Sequence, residues 1–422
     1  MKSRYCIVIV TIGLLLSIKH TEANSTNMQS VMANCNRPFF PGELLVKFKA
    51  RTSLKATQSI HFHLGVSQVR EGYQNCHQII EVPPGKEKEM AKAYYKRPEV
   101  NYAEPNYYRS IHATPNDELY PFQWNFPLIN LEEAWDISTG EGVTVAVLDT
   151  GVNSFGKDGF GSQSGKRVLR GYNALLGLPG AARDYLGHGT HVAGIIAQET
   201  NNVTGAAGIA YNAKILPVKV LLFTGEGLDS WIINGIRWVT DHGADIINLS
   251  IGGAPPSQAL EDAINYAYQQ GVVLVASSGN DAEGVVDYPA AFENCIAVGA
   301  VRYDKNLAAH YSNYGDALDL VAPGGDMRED QNGDGEPDGI RQEGFERFLL
   351  LGIKWGYPYF TGTSFSSPHV AGVAALVKSL HPEYGPDEIR QVLQETAEDL
   401  GETGWDETYG YGLVDANAAV SY

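Results

Sequence analysis

The chain has 422 residues, 44% of them hydrophobic and 19% charged, with 46 glycines and a formal net charge of −18. That length suggests two or three domains, and the composition excludes a disordered or fibrous chain. Charge is unevenly spread: residues 24–112 carry 12 Lys+Arg and 7 Asp+Glu, a balance of +5, whereas residues 113–422 carry 16 and 41, a balance of −25. So acidic a body argues against nucleic acid as a partner. The asymmetry either helps two parts of one precursor dock or simply keeps the acidic part soluble.

Lys2 and Arg4 precede an apolar run from Tyr5 to Ile18, and Thr21-Glu22-Ala23 then offers a small residue for cleavage. The run is short for a membrane span. Residues 1–23 therefore read as a secretory signal peptide, with a retained anchor as the alternative. After its removal the chain is expected to be soluble, free of the membrane and secreted. Cys6 would leave with the signal, Cys35 and Cys76 could pair with each other, and Cys295 lies in an apolar run as a buried thiol.

Residues 43–112 read as a small α+β unit. Glu43–Phe48 alternates like a strand, a helix is expected from about Lys86 to Tyr95, and Val100–Tyr107 looks like a closing strand. From about Leu131 the pattern changes. Short apolar runs (143–149, 215–221, 245–251, 272–278, 295–301, 318–322) alternate with amphipathic helices. One helix is expected to be capped by Asp229, with Ile232, Ile233, Ile236 and Val239 inside. The next is expected to be capped by Ser257, with Leu260, Ala263, Ile264 and Ala267 inside and Gly271 at its end. Strands apolar throughout, alternating with helices, predict an α/β fold: a mostly parallel sheet with helices on both faces. Residues 324–359 break the rhythm as a long insertion.

Three motifs carry the chemistry. Val145-Ala-Val-Leu-Asp-Thr-Gly151 ends a buried strand in Asp149. Gly187-His-Gly-Thr-His-Val-Ala-Gly194 puts His188 where a helix begins. Gly362-Thr-Ser-Phe-Ser-Ser-Pro-His-Val-Ala-Gly372 puts Ser364 at the start of another, with Pro368 tolerated in its first turn. Each alone could be structural, as a helix cap or a turn. Taken together they form an Asp…His…Ser set in the chain order of the subtilisin triad.

Over residues 113–422 the sequence thus resembles the subtilisin-like serine proteases, or subtilases. The resemblance implies a serine endopeptidase in which His188 takes the Ser364 proton and Asp149 orients and stabilises His188. Asn280, in Val275-Ala-Ser-Ser-Gly-Asn280, matches the oxyanion asparagine, with the Ser364 N–H as the second donor. Ser250, Ile251 and Gly252 match the segment on which the family pairs an extended peptide, a mode that reads little sequence and favours broad specificity. Ser277, Ser278 and Gly279, with Tyr288-Pro-Ala290, match the first specificity pocket. Asp281 reads as surface charge, or as an acid at that pocket's rim that would admit basic side chains. His191 and His369 belong to the pattern as packing residues.

Calcium is the implied cofactor, structural in role. Thr200, Asn202, Thr204 and Ala206 match the family's calcium loop, with Asp117 as an N-terminal ligand and Asp158 as a further candidate; Asn202-Val-Thr is also formally a glycosylation sequon. A second set, Asp330, Asn332, Asp334, Glu336 and Asp338, follows the first half of an EF-hand loop with Gly335 at the sixth position. Arg341 then stands where the bidentate acid belongs, and Glu343 could replace it. The alternative is a solvated acidic turn.

Residues 24–112 resemble the family's inhibitory prodomain, a small ferredoxin-like α+β unit, particularly at Val100–Tyr107. The resemblance implies an intramolecular inhibitor and chaperone, removed by self-cleavage between Tyr107 and Thr114. The catalytic domain is expected to run from 113 to 422 with no anchoring domain after it, and the enzyme to be a monomer acting on protein and peptide substrates. A catalytically inactive binding protein on the same fold is disfavoured because no triad or oxyanion residue is substituted. An esterase is disfavoured because the serine motif lacks the Gly-x-Ser-x-Gly elbow.

Overall fold

The computed structural model describes residues 39–66, 68–72, 76–107, 114–154, 158–159, 167–253, 255–348 and 352–422. The signal peptide, Cys6, the Cys35–Cys76 pairing and the cleavage window after Tyr107 fall on or depend on residues outside these. Among the described residues, no helix is long and apolar enough to cross a membrane. The chain divides into two compact units, Met1–Ile111 and His112–Tyr422.

In the first unit the order is β1 (Phe39–Phe48), α1 (Leu54–His63), β2 (Val69–Glu71), β3 (Gln78–Glu81), α2 (Glu87–Tyr95) and β4 (Val100–Tyr107). The sheet order is β2-β3-β1-β4 with every neighbouring pair antiparallel, which is the βαββαβ ferredoxin-like arrangement. Strand periodicity buries Leu44 and Val46 on one face of β1, where they join Ile80, Ala91, Tyr94 and Val100 in a small core. Ser53 caps α1 by accepting from the Ala56 N–H (3.2 Å).

The second unit is built on an eight-stranded sheet: β5 (Thr144–Asp149), β6 (Tyr172–Asn173), β7 (Leu178–Pro179), β8 (Lys214–Lys219), β9 (Ile246–Leu249), β10 (Val273–Ser277), β11 (Ile296–Val301) and β12 (Leu320–Pro323), ordered β12-β11-β10-β9-β5-β8-β6-β7. Every pairing is parallel except β6–β7. The central strands are buried throughout because helices cover both faces, as their near-continuous apolar sequences require. The principal helices are α3 (His188–Ala197), α4 (Asp229–Asp241), α5 (Gln258–Gln269), α6 (Thr363–Leu380), α7 (Pro386–Glu395) and α8 (Ala416–Ser421).

Ser257 caps α5 by accepting from the Leu260 N–H (3.4 Å), and Gly271, at φ +83°, follows that helix's end. The capping expectation fails at α4. Asp229 is its first helical residue, and Leu228 holds the cap position without a side-chain bond; the Asp229 charge still favours that terminus through the helix dipole. Ile233 is half-buried, so the inner stripe is Ile232, Ile236 and Val239. Residues 324–359 are more regular than their sequence suggests. β13 (Ile340–Arg341) pairs with β16 (Tyr359–Phe360), and β14 (Gly344–Phe348) with β15 (Gly352–Gly356), both antiparallel.

Candidate active site

Three chain segments meet at the carboxyl ends of the parallel strands, where open α/β sheets place their ligands. Asp149 ends β5, His188 opens α3 and Ser364 is the second residue of α6. His188 Nδ1 lies 2.8 and 2.9 Å from the two carboxylate oxygens of Asp149, which is wholly buried and also accepts from the Thr150 N–H (2.6 Å). Burial alone would lower the His188 pKa. The charge and hydrogen bond of Asp149, aided by Asp184, outweigh it and hold the imidazole above its ordinary value. The close fit needs Gly189: a methyl there would stand 2.2 Å from the Gly151 carbonyl and 2.9 Å from Asp149 Cβ.

The Ser364 hydroxyl donates to the Ser250 carbonyl (3.3 Å). The His188 ring lies 5.3 Å from that of Phe365, the residue after Ser364, with the two planes tilted by 54°, so the imidazole sits against the turn that carries Ser364. The Ser250 side chain faces the helix rather than the cleft: its Oγ donates to the Ser364 carbonyl (2.8 Å) and meets Ser367 Oγ at 3.0 Å. His191 and His369 are buried and uncharged, pushed down to about 3 and about 4 by burial, and contact the Pro358 and Phe365 carbonyls. Their role is packing.

Asn280 follows β10. Its Oδ1 accepts from the Thr363 N–H (2.9 Å) and Thr363 Oγ1 (3.1 Å), which turns the amide and leaves Nδ2 as its donor. The Ser364 N–H lies in the first turn of α6, where no helical acceptor exists. The Thr363 tether thus brings Asn280 next to the turn that carries Ser364. In the segments expected to form the pocket, Ser277 Oγ donates to the Ile251 carbonyl (3.4 Å), Ser278 Oγ to the Asn313 carbonyl (2.9 Å), and Gly279, at φ +112°, receives no side chain. Ser277 and Ser278 are buried, whereas Gly252 and Asp281 are exposed.

Three residues that sequence reasoning passed over belong here. Asp184, fully buried, accepts from Thr150 Oγ1 (2.8 Å), from Thr190 Oγ1 (2.6 Å) and from the N–H groups of Gly187 (3.0 Å) and Thr190 (3.0 Å), and so fixes the start of α3. Lys219, at the end of β8, is buried and donates to the Thr150 (2.7 Å) and Leu221 (2.8 Å) carbonyls, within electrostatic reach of Asp184 and Asp149. Asp287 is the third. A methyl at Gly279 would stand 2.6 Å from Asp287 Oδ2, and one at Gly252 2.9 Å, so the carboxylate lies against both glycines. Burial, then Asp281 and Glu283, push its pKa up.

The expected calcium residues fall into two places. Asp117 accepts from the backbone N–H groups of Asn201 (2.8 Å) and Asn202 (3.2 Å), and Asn202 Nδ2 donates to Asp158 Oδ1 (2.7 Å), so both carboxylates contact the 200–206 loop. Thr200, Thr204 and Ala206 belong to the same loop. Thr200 Oγ1 accepts from the Gly208 N–H (3.0 Å), the Thr204 N–H bonds Asn202 Oδ1 (2.8 Å) and the Ala206 N–H bonds Asp158 Oδ2 (3.0 Å). Val203, a β-branched residue, holds φ +68°, a costly conformation that surrounding contacts must enforce. Burial and the nearby Glu343 push Asp158 up to about 7, and the buried Tyr357 hydroxyl has no partner among the described residues. An oxygen-rich set with two buried acids fits a hard divalent cation. Glu343 does not complete the 330–338 loop. Its carboxylate accepts from the Asp158 (2.8 Å) and Gly159 (2.6 Å) N–H groups instead.

An Asp–His pair at strand and helix ends, beside a serine at a helix N-terminus and a tethered asparagine amide, defines a serine hydrolase on a parallel α/β sheet. The comparisons carry this further. Residues 140–412 match the subtilase family (Peptidase_S8), and residues 25–106 match the fervidolysin N-terminal prodomain. The chain is 37% identical over 388 residues to the thermophilic serine proteinase of Bacillus sp. (strain AK1), covering 91% of this chain and 88% of that protein. Among solved structures, a protease of Pseudoalteromonas arctica superposes with a TM-score of 0.65 at 36% identity, over 73% of this chain and 99% of that one. Fervidolysin from Fervidobacterium pennivorans, a keratinolytic enzyme, superposes with a TM-score of 0.61 at 27% identity, over 91% of this chain and 61% of that one. The chain belongs to the subtilase family and is a serine endopeptidase with an N-terminal prodomain.

Proposed function

We propose that the protein is a secreted endopeptidase, made as a precursor, that cleaves peptide bonds through Asp149, His188 and Ser364. The observation that carries this is the His188–Asp149 contact at 2.8 Å beside the helix turn of Ser364. Ser364 Oγ rotates from Ser250 to attack the substrate carbonyl carbon while His188 Nε2 takes its proton. The C–N bond then breaks, and His188 passes the proton to the departing amine. Water, deprotonated by the same imidazole, releases the acyl group and restores Ser364. Asn280 Nδ2 and the Ser364 N–H hold the oxyanion. In this reading residues 1–23 are the signal and 24–112 the inhibitory prodomain and folding aid, removed by self-cleavage.

Asp117, Asp158, Asn202 and the 200–206 carbonyls would hold a structural calcium ion, whose charge would keep Asp158 ionised. Substrate backbone would pair along Ser250–Gly252, which supports broad specificity.

The test is hydrolysis of casein across pH together with labelling by a phosphonyl fluoride. His188 must be neutral to act as base, and Asp149 raises its pKa. Activity should therefore fall toward acid along a limb whose midpoint lies above the ordinary histidine value of about 6.5. The label should map to Ser364. Absence of hydrolysis with no adduct would leave a binding protein on this fold as the better reading.

Asp287 gives the pocket a bias. A basic side chain entering between Gly252 and Gly279 meets a carboxylate that burial, and then Asp281 and Glu283, have made reluctant to ionise. Charge-assisted hydrogen bonds of about 1.5–3 kcal/mol correspond to roughly 10- to 100-fold in kcat/KM. Asp287→Asn should therefore cut the Lys and Arg preference over Leu by about that factor on matched peptides, with the Leu rate little changed. Equal losses on all three would show that Asp287 only shapes the pocket.

A further inference from the structure

The loop Asp330–Asp338 takes no part in the chemistry above. Most of its side chains turn back on its own backbone. Asp330 accepts from the Gly333 (2.7 Å) and Gly335 (3.1 Å) N–H groups, Asn332 from Asp334 (2.8 Å) and Asp334 from Glu336 (2.8 Å). Those bonds alone would describe a capped acidic turn. Asp338 does not fit that description. It is 1% exposed, and its Oδ2 accepts from the Gln331 N–H (2.5 Å), so the carboxylate points into the loop. Its Oδ1 is buried and meets no hydrogen-bond donor among the described residues, and the same holds for Gln331 Oε1. A buried oxygen without a donor is costly. The charges acting on Asp338 from within the loop, Asp330 and Asp334, have the same sign as its own. Arg341 brings no relief, because its guanidinium lies over the rings of Phe122 and Tyr359 (5.0 and 4.8 Å).

We propose that residues 330–338 hold a calcium ion through Asp330, Asn332, Asp334, the Glu336 carbonyl and Asp338, and that this ion braces the backbone leading into Ser364. Oxygen donors at alternate positions, with Gly335 at φ +89° for the sharp turn, suit calcium rather than a softer metal. Among the described residues no three acidic, His or Cys side chains converge on one point. Binding therefore swings Asp330 and Asp334 from backbone caps to ligands, around the fixed Asp338. Without a bidentate acid at the twelfth position the affinity should be weak, about 10⁻⁴–10⁻³ M, the range of extracellular calcium modules.

The brace follows from the backbone. The Asp338 carbonyl accepts from the Asp326 N–H (2.9 Å), and two residues earlier the Gly324 carbonyl accepts from the Gly362 N–H (3.1 Å). On the other side Ile340 pairs with Phe360. Both routes end within four residues of Ser364. An ion that fixes Asp338 thus holds both sides of the segment entering α6.

The test needs no activity. Calcium chloride is titrated calorimetrically into chelator-stripped precursor carrying Ser364→Ala to prevent self-digestion, with and without Asp330→Asn and Asp334→Asn. Both added changes lie at exposed side chains; Asp334→Asn alone serves if the pair does not fold. The expected result is one ion in the 10⁻⁴–10⁻³ M range that the variant binds at least tenfold more weakly. Calcium should also slow hydrogen exchange in peptides covering both 324–341 and 359–364. No ion in that range, or equal binding by parent and variant, would overturn the site. Protection confined to 330–338 would overturn the brace. If the ion binds as expected while the protein with Ser364 intact hydrolyses no peptide, the endopeptidase mechanism fails and the ion site stands.

Discussion

Precursor carrying Ser364→Ala should stay at full length under conditions in which the wild type loses everything up to a bond between Tyr107 and Thr114. Its casein hydrolysis should fall by about 10⁶ in kcat, the loss seen when the nucleophile is removed from a triad of this kind. The effect is so large because the three groups act as one unit. Without Oγ, His188 has no proton to accept, and the Asp149 contact at 2.8 Å stabilises a charge that never forms. A residual rate of about 10³–10⁴ over water is expected from the oxyanion donors and binding alone. The fold should survive. Among the described residues the Ser364 hydroxyl donates a 3.3 Å bond to the Ser250 carbonyl, and the helix start keeps its Ser250 Oγ bond to the residue-364 carbonyl. Intact mass over time reads the outcome directly. Processing of the variant at the wild-type rate, in protein free of other proteases, would show that Ser364 is not the nucleophile.

The parts of this site that were legible in the sequence are those whose geometry is local. Asp149 ends a strand with no polar residue after Thr144, and His188 and Ser364 each open a helix flanked by glycine, so element boundaries alone place them. Asn280 follows the same logic at the end of β10. Asp287 was not legible, because what gives it meaning is Gly252, which reaches it from the loop after β9, and Gly279, at the far end of its own β10–β11 connection. Asp184 and Lys219 were hidden for a similar reason. A polar residue inside an apolar or Gly-rich stretch is a signal, but its partners Thr150, Gly187 and Thr190 are fixed only once β5, β8 and α3 are assembled.

The insertion before α6 shows the limit of pattern reading. Its strands are two to five residues long and pair only with one another. Too few alternations exist to declare a period. Glu343 is instructive. By spacing it follows the 330–338 loop, yet it opens toward Asp158 and Gly159, because the chain turns at β13 before reaching it. Linear distance from a motif did not predict which acid would serve it. The burial of Asp338, with one oxygen left without a donor, could not be read from linear order either.

Asn280→Ala should lower kcat by about 10²–10³, with KM within about threefold of wild type, the range found when one oxyanion donor is removed from a protease of this family. The split follows from the charge that Nδ2 meets. A neutral substrate carbonyl gains little from it, and the oxyanion gains much, so the loss falls on the transition state. Orientation is already set before substrate arrives, because Oδ1 is held by the Thr363 N–H at 2.9 Å and by Thr363 Oγ1 at 3.1 Å. That tether also predicts a structural cost. The variant leaves the Thr363 N–H without its acceptor, which should cost about 1–3 kcal/mol of stability. Asn280→Asp separates the two roles: it keeps an oxygen for Thr363 but replaces the donor with a negative charge. If Asn280 is an oxyanion donor, the Asp variant should retain thermal stability better than the Ala variant while losing at least as much kcat. Should kcat instead track stability, with Asp near wild type in both, Asn280 would be a loop anchor and the Ser364 N–H would have to carry the oxyanion with another donor.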